Sequence, residues 1–237
     1  MEQMKLGNIT VDVVQKDIKN IHLSVYPPTG RVRISAPIRM DLDTIRVFAI
    51  SKLSWIKKQQ AKLKNQERES PREFLNKESH YFNGKRYLLE VVEQEAPPKV
   101  VLKHSVIQLF VRSGADTAKK RNILDEWYRL KLKETVPSII EKWENKMNVQ
   151  VNDYGIKKMK TKWGTCNRKA KRIWLNLELA KKPAECLEYI VVHEMAHLLE
   201  RNHTDRFIAV INKFMPKWRF YKDELNRLPV SHADWNY

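Results

Sequence analysis

Residues 189–203 read Tyr-Ile-Val-Val-His-Glu-Met-Ala-His-Leu-Leu-Glu-Arg-Asn-His, and the spacings inside this stretch organise the rest of the chain. His193 and His197 stand four positions apart, so on a helix they share a face and can both present a ring nitrogen to one ion about 2 Å away. Glu194 sits beside them, where it can hold a water bound to that ion and take its proton. A bare HExxH pattern arises by accident in about 1–2% of chains of this composition, so a third ligand is decisive. His203 would fall about 240° off the ligand face of a continuous helix, which means the helix must end first. Arg201-Asn202 offers such an end, because Asn tolerates the left-handed conformation that terminates helices. Three histidines would leave one position for water, the arrangement of catalytic zinc. Glu224 on a later helix is the alternative third ligand, and a left-handed turn at Glu200 would be strained.

Working outward from the motif, Pro183 suits the first turn of its helix. Strand-like segments precede it around Val149–Lys160 and Ile173–Leu177. Before them, Ile123, Trp127, Leu130, Ile139, Ile140, Trp143 and Met147 form a helical stripe in which Pro137 marks a kink or break. The front of the chain reads mostly as strands. Ile21–Val25 and Val32–Ser35 flank Pro27-Pro28-Thr29-Gly30, and Asn83-Gly84 between Tyr81-Phe82 and Tyr87-Leu88 is the chemistry of a tight hairpin turn. Val100–Leu102 and Val106–Val111 add further strands. Between the hairpins, Asp41 or Asp43 can cap one helix carrying Ile45, Phe48, Ala49, Leu53, Ile56 and Leu63 at helical spacing. Polar residues 66–73, with Pro71, form a connector. The expected fold is α+β: a strand-rich region 1–113 with an inserted helix, then a zincin-like catalytic domain 114–237 with a small sheet and the HExxH helix.

The chain has 237 residues, 42% apolar, and a formal charge of +17. Residues 1–120 hold 22 basic and 13 acidic side chains and the remainder 23 and 15, so no basic tail accounts for the excess. The densest stretch runs from Lys157 to Lys182, with ten basic residues against Glu178 alone. It abuts the expected cleft and interleaves Trp163 and Trp174, as in surfaces that bind nucleic acid or another anion. Lys162, Lys169, Lys171 and Arg172 are the anion-binding or nucleic-acid-binding candidates. Trp163 and Thr165 are expected in a loop lining the cleft. If Ile173–Leu177 is an edge strand, an extended peptide can pair with it and Asn176 becomes a cleft residue. Tyr154, Tyr221 and His232 are open candidates for oxyanion stabilisation.

Two cysteines, Cys166 and Cys186, are too few for a disulfide framework, and MEQMKLGNIT lacks a signal-like apolar run, which together point to the cytoplasm. No apolar run approaches the length of a membrane span. His22, His80 and His104 are read as structural, and neither cysteine has an evident histidine partner in sequence.

Lys162-Trp163-Gly164-Thr165-Cys166, Ile173-Trp174-Leu175-Asn176, Leu179, Pro183, the 189–198 stretch and Asn202-His203 with Phe207 resemble the YgjP-like metal-dependent hydrolases, relatives of the SprT-like and Wss-type zinc metallopeptidases. Thr165 stands where the family has Ser. The resemblance concentrates in residues 155–215 and implies His193, His197 and His203 as metal ligands with Glu194 as general base. The expected function is therefore a zinc-dependent peptidase, with another divalent metal an alternative to zinc. Two further readings stand beside it: a nucleotide pyrophosphatase or phosphohydrolase using the same metal, and a nucleic-acid-associated protease or binding module.

Overall fold

The computed structural model describes residues 2–26, 29–65, 72–159 and 162–227; Pro27-Pro28, most of the 66–73 connector, Lys160 and His232 lie outside them. The chain divides into two compact units, Met1–Glu67 and Arg68–His232, each with its own apolar core.

In the first unit, β1 (Glu2–Leu6), β2 (Ile9–Lys16), β3 (His22–Tyr26) and β4 (Arg31–Pro37) form a sheet of order β1-β2-β4-β3. β3 and β4 pair as expected, and Gly30 closes their turn at φ 75° with its N–H on the Tyr26 carbonyl. The β1–β2 hairpin was not expected. Its second strand alternates Ile9, Val11 and Val13 inward, but Asp12 between them is buried too, ion-paired with Arg31 and bonded by Gln3. The single helix expected after Asp41 is two, α1 (Leu42–Ser51) and α2 (Leu53–Asn65), because the Lys52 N–H turns back onto the Ala49 and Ile50 carbonyls. Asp41 is the cap, accepting the Thr44 N–H at 2.7 Å. The apolar stripe survives the break: Ile45, Ala49 and Ile56 are all buried with Val11, Val32 and Ile34.

The second unit opens on a sheet of β5 (Ser79–Phe82), β6 (Lys85–Glu93), β7 (Lys99–Lys103) and β8 (Val106–Val111), in order β5-β6-β8-β7. Asn83 and Gly84, both at positive φ, make the β5–β6 turn. The N–H groups of that turn donate to the Ala180 and Lys181 carbonyls just ahead of the HExxH helix. Leu89, Ile107 and Leu109 share one continuous core with Leu132 and Val136 and with Val191 and Val192 of the HExxH helix. The expected boundary at 113/114 is thereby corrected: the second sheet has its apolar face buried against the catalytic helices and belongs with them.

α3 (Thr117–Met147) runs through Pro137 without ending. Proline leaves the Lys133 carbonyl without its helical donor, and the Tyr154 hydroxyl reaches that carbonyl at 3.4 Å. Leu130 of the expected stripe is exposed, and Leu124, Tyr128, Leu132 and Val136 fill the buried face instead. A third sheet follows, of β9 (Asp153–Lys157), β10 (Gly164–Asn167) and β11 (Arg172–Asn176), in order β10-β11-β9. A 3-10 turn, Leu177–Lys181, leads to α4 (Ala184–Leu199), α5 (Asp205–Phe214) and α6 (Trp218–Arg227). The architecture is α+β as expected, and no described helix is long and apolar enough to cross a membrane.

Candidate metal centre

α4 is apolar on most of its circumference: Cys186, Leu187, Tyr189, Ile190, Val191, Val192, Met195 and Ala196 are all buried. A helix of that composition is a core element, so its few polar side chains are held in place by packing on every side. Pro183 is the N-cap rather than a first-turn residue, its carbonyl receiving the Cys186 and Leu187 N–H groups.

The helix stops at Glu200, whose backbone is extended at φ −132° and whose N–H returns to the Ala196 carbonyl. The expected left-handed stop at Asn202 is corrected, since Asn202 is not among the residues at positive φ. What brings His203 back is the start of α5: Thr204 caps that helix, its hydroxyl accepting the Phe207 N–H at 3.4 Å. The same extended Glu200 carbonyl accepts the His197 Nδ1–H at 3.1 Å. That bond fixes the tautomer and leaves Nε2 as the free lone pair.

His193, His197 and His203 offer nitrogens that all lie within 4.8 Å of one another, and the Nε2 atoms of His193 and His203 are 3.0 Å apart. Phe207 floors all three rings at centroid distances of 5.0, 4.7 and 4.7 Å. Burial, then the neighbouring His197, His203 and Lys222, push His193 down to about 3; burial, His197 and Lys222 lower His203 as well. Both therefore stay neutral at physiological pH, as metal-ligating imidazoles must. Three imidazole nitrogens converging on one point fit a divalent transition metal. Glu224, the alternative ligand, is not in the cluster and lies 3.6 Å from the Cys186 sulfur.

Glu194 is 5% exposed, and burial raises its carboxyl to about 8 against the opposing charge of Lys162. A cation placed among the three imidazoles would bring it down again. Its position depends on Gly164: a Cβ there would come within 2.6 Å of Glu194 Oε1 and 2.7 Å of its Cγ. The glycine of Trp163-Gly164-Thr165 is thus required for space, a role its sequence context did not disclose. Tyr189, edge-on to His193 at 5.9 Å, also lines the site, with its hydroxyl pushed up to about 12 by burial, Glu194 and Asp223.

These residues border a cleft of about 1230 Å³ whose wall is the whole of β10 with its flanks, Lys162 to Lys169. Trp163 and Thr165 line it. β11 is the central strand and β10 the edge, which corrects the expectation of an edge at Ile173–Leu177. Asn176 is not a cleft residue. It is buried, its Nδ2 donates to the Met159 and Lys162 carbonyls, and its Oδ1 accepts the Met159 and Glu178 N–H groups, so it clips the loop that precedes β10.

The anion-binding candidates divide. Lys162 and Lys169 line the cleft, joined by Arg168, Arg201 and Lys222, which sequence reasoning did not nominate because two of them come from distant segments. Lys171 turns the β10–β11 hairpin at φ 47° and Arg172 is ion-paired with Asp153 at 2.6 Å; neither lines the cleft. Trp174 covers Gly155 on the neighbouring strand, with Lys157 over its ring. Of the oxyanion candidates, Tyr154 is engaged at Lys133 and neither it nor Tyr221 lines the cleft, while His232 lies outside the described residues. Cys166 lines the cleft, and burial with the nearby Glu194 carboxylate raises its thiol to about 11, far from a reactive thiolate. His80 is buried 3.1 Å from Glu78, and His22 and His104 stand on exposed positions of the strands and turns.

An HExxH helix floored by an aromatic ring, with its glutamate walled in by a glycine strand, defines a metal-dependent hydrolase of the metallopeptidase class. The chain belongs to the YgjP-like family, whose metallopeptidase domain matches residues 19–228. Two archaeal metallopeptidase zymogens of known crystal structure are similar over part of it. Abylysin of Pyrococcus abyssi is 23% identical, spans 40% of this chain and 100% of its own, and superimposes with a TM-score of 0.37. For jannalysin of Methanocaldococcus jannaschii the values are 21%, 38%, 92% and 0.34. Comparison with curated proteins gives no significant match.

Proposed function

We propose that this chain is a zinc-dependent peptidase that cuts extended polypeptide, with His193, His197 and His203 as ligands and Glu194 as general base. The observation that carries the reading is the position of Glu194, buried beside the three imidazoles and pressed against the strand that lines the cleft. A divalent ion held by the imidazoles would polarise the scissile carbonyl and acidify water. Glu194 accepts the proton of the attacking water and returns it to the departing amine.

The substrate lies along β10. The Asn176 N–H bonds the Trp163 carbonyl, which makes Trp163 and Asn176 a hydrogen-bonded pair in the antiparallel register. By alternation, the N–H and C=O groups of Gly164 and Cys166 face away from β11. Among the described residues no strand pairs with that edge. An extended peptide can add there, its main chain held by Gly164 and Cys166 while its scissile bond faces Glu194. The free state of both cysteines favours a cytoplasmic setting.

A second reading, hydrolysis of a nucleoside triphosphate, is favoured by the five basic side chains that line the cleft. The decisive test is the zinc-loaded Glu194→Gln variant. Metal content should stay at one equivalent while release of fragments from unfolded protein falls roughly 10²–10⁴-fold. An undiminished rate would refute the mechanism, and pyrophosphate or phosphate release from nucleotides without peptide cleavage would transfer it to the second reading.

A further inference from the structure

The basic residues around the site fall into two populations. Of those pointing elsewhere, Arg172 pairs with Asp153, Lys158 with Asp125 and Lys181 with Glu178, while Lys157 lies over the Trp174 ring. The five that line the cleft, Lys162, Arg168, Lys169, Arg201 and Lys222, form no ion pair among the described residues, and Glu194 is the sole acid in the same wall. Leaving five like charges unpaired around one cavity raises the self-energy of the folded state, a cost that an anionic ligand offsets on binding.

Three of the five gather at one end. Arg168 donates through Nη2 to the Leu198 carbonyl at 3.2 Å, which ties the β10–β11 turn to the C-terminal end of α4. Lys169 follows it in the chain, and Arg201 leaves α4 two residues after that helix ends. Lys162 marks the opposite end of β10. An extended chain on the β10 edge therefore has cations beyond both ends of its paired segment, separated by about 20 Å at roughly 3.3 Å per residue. The free N–H and C=O groups of Gly164 and Cys166 select a peptide over a nucleic acid, which has no matching ladder. The aromatic pair expected to stack bases is also split, since Trp174 is spent covering Gly155.

We propose that the cleft selects polypeptide segments with acidic side chains on both sides of the bond to be cut, with Arg168, Lys169 and Arg201 receiving those on one side and Lys162 those on the other. This inference rests on the peptidase reading of the site, so its test uses binding rather than turnover. Zinc-loaded Glu194→Gln protein is titrated with three labelled ten-residue peptides of one sequence, carrying Glu, Gln or Lys at the flanking positions, and with a single-stranded oligonucleotide of equal charge. The Glu peptide should bind at least tenfold tighter than the Gln peptide. The added substitutions Lys169→Gln and Arg201→Gln, neither of whose side chains bonds any described residue, should reduce that ratio to within about twofold.

A control carries Lys57→Gln and Lys58→Gln, on exposed positions of α2, and loses the same total charge; its ratio should stay at tenfold. Equal binding of the Glu and Gln peptides overturns the proposal. So does an equal loss in the α2 control, which would make the effect one of net charge, and so does an oligonucleotide or nucleoside triphosphate that displaces the Glu peptide at lower concentration. Cleavage of the Gln peptide by the wild-type enzyme, measured separately, reports whether the peptidase reading stands even if the acidic preference fails.

Discussion

The two four-stranded sheets are built on one plan, β1-β2-β4-β3 in the first unit and β5-β6-β8-β7 in the second, each with two hairpins joined through a parallel inner pair. No repeat in the sequence announces this likeness. What separates them is the helix that follows. After β4 the chain makes two short helices interrupted at Lys52, enough to close a small core of its own. After β8 it makes the 31-residue α3, which extends one core from the sheet to the HExxH helix. A common topology therefore serves once as a self-contained unit and once as a foundation for chemistry, and the difference lies in which apolar surfaces remain to be covered.

Removing a ligand should expose the contrast most strongly. His203→Ala should lower zinc affinity by well beyond the about 10–100-fold that loss of an outer-shell partner costs, whereas His22→Ala on β3 should leave it unchanged; competition with a chromogenic chelator reads both. Next in size is glycine. Gly164→Ala forces the Glu194 carboxylate aside and should reduce kcat about 10²-fold with zinc retained. Gly30→Ala, also strained because of its positive φ, should lower the stability of the first unit and leave kcat alone. If both glycines affected kcat alike, the functional separation of the units would fail.

Core truncations come third. Leu175→Ala and Ile34→Ala each empty a fully buried position and should each cost about 2–5 kcal/mol, but only the first should weaken zinc binding near its melting transition. Calorimetry with and without zinc distinguishes them. The smallest effect concerns acid. Burial raises the Asp12 carboxyl, but hydrogen bonds from Arg31 and Gln3 and the charges of Arg31 and Arg33 outweigh it and hold it below its ordinary 3.8. A group depressed on folding contributes stability that is complete above about pH 4 and is lost as the pH falls through its folded value. Asp12→Asn should thus cost the first unit about 1–3 kcal/mol at neutral pH and progressively less in strong acid, followed by circular dichroism against pH.

The shared face of His193 and His197 is legible because four-residue spacing on a helix is local geometry, and Asn83-Gly84 is legible for the same reason. The stop that returns His203 was misplaced. The residues 200–204 contain no glycine to mark it, and the extended Glu200 is held by bonds to Ala196 and His197 whose presence depends on the finished helix. The loop expected around Trp163 and Thr165 is the strand β10, because a four-residue strand, Gly164–Asn167, has too little alternation to show in the sequence. Asn176 reads as a cleft residue because it ends a strand-like run beside the motif; three of its four side-chain bonds hold Met159 and Lys162 ahead of β10, up to 17 positions away.

The sequence by itself determined the chemistry of the centre, since two histidines, a glutamate and a third histidine at those spacings are a property of one chain segment and the helix it forms. It also determined the excess of positive charge. Only the tertiary structure decided which strand is the open edge, which glycine makes room for Glu194, and which cations at the cleft form no ion pair among the described residues. Each of these depends on groups brought together from segments separated by tens of residues, where packing and charge pairing, and not local spacing, set the outcome.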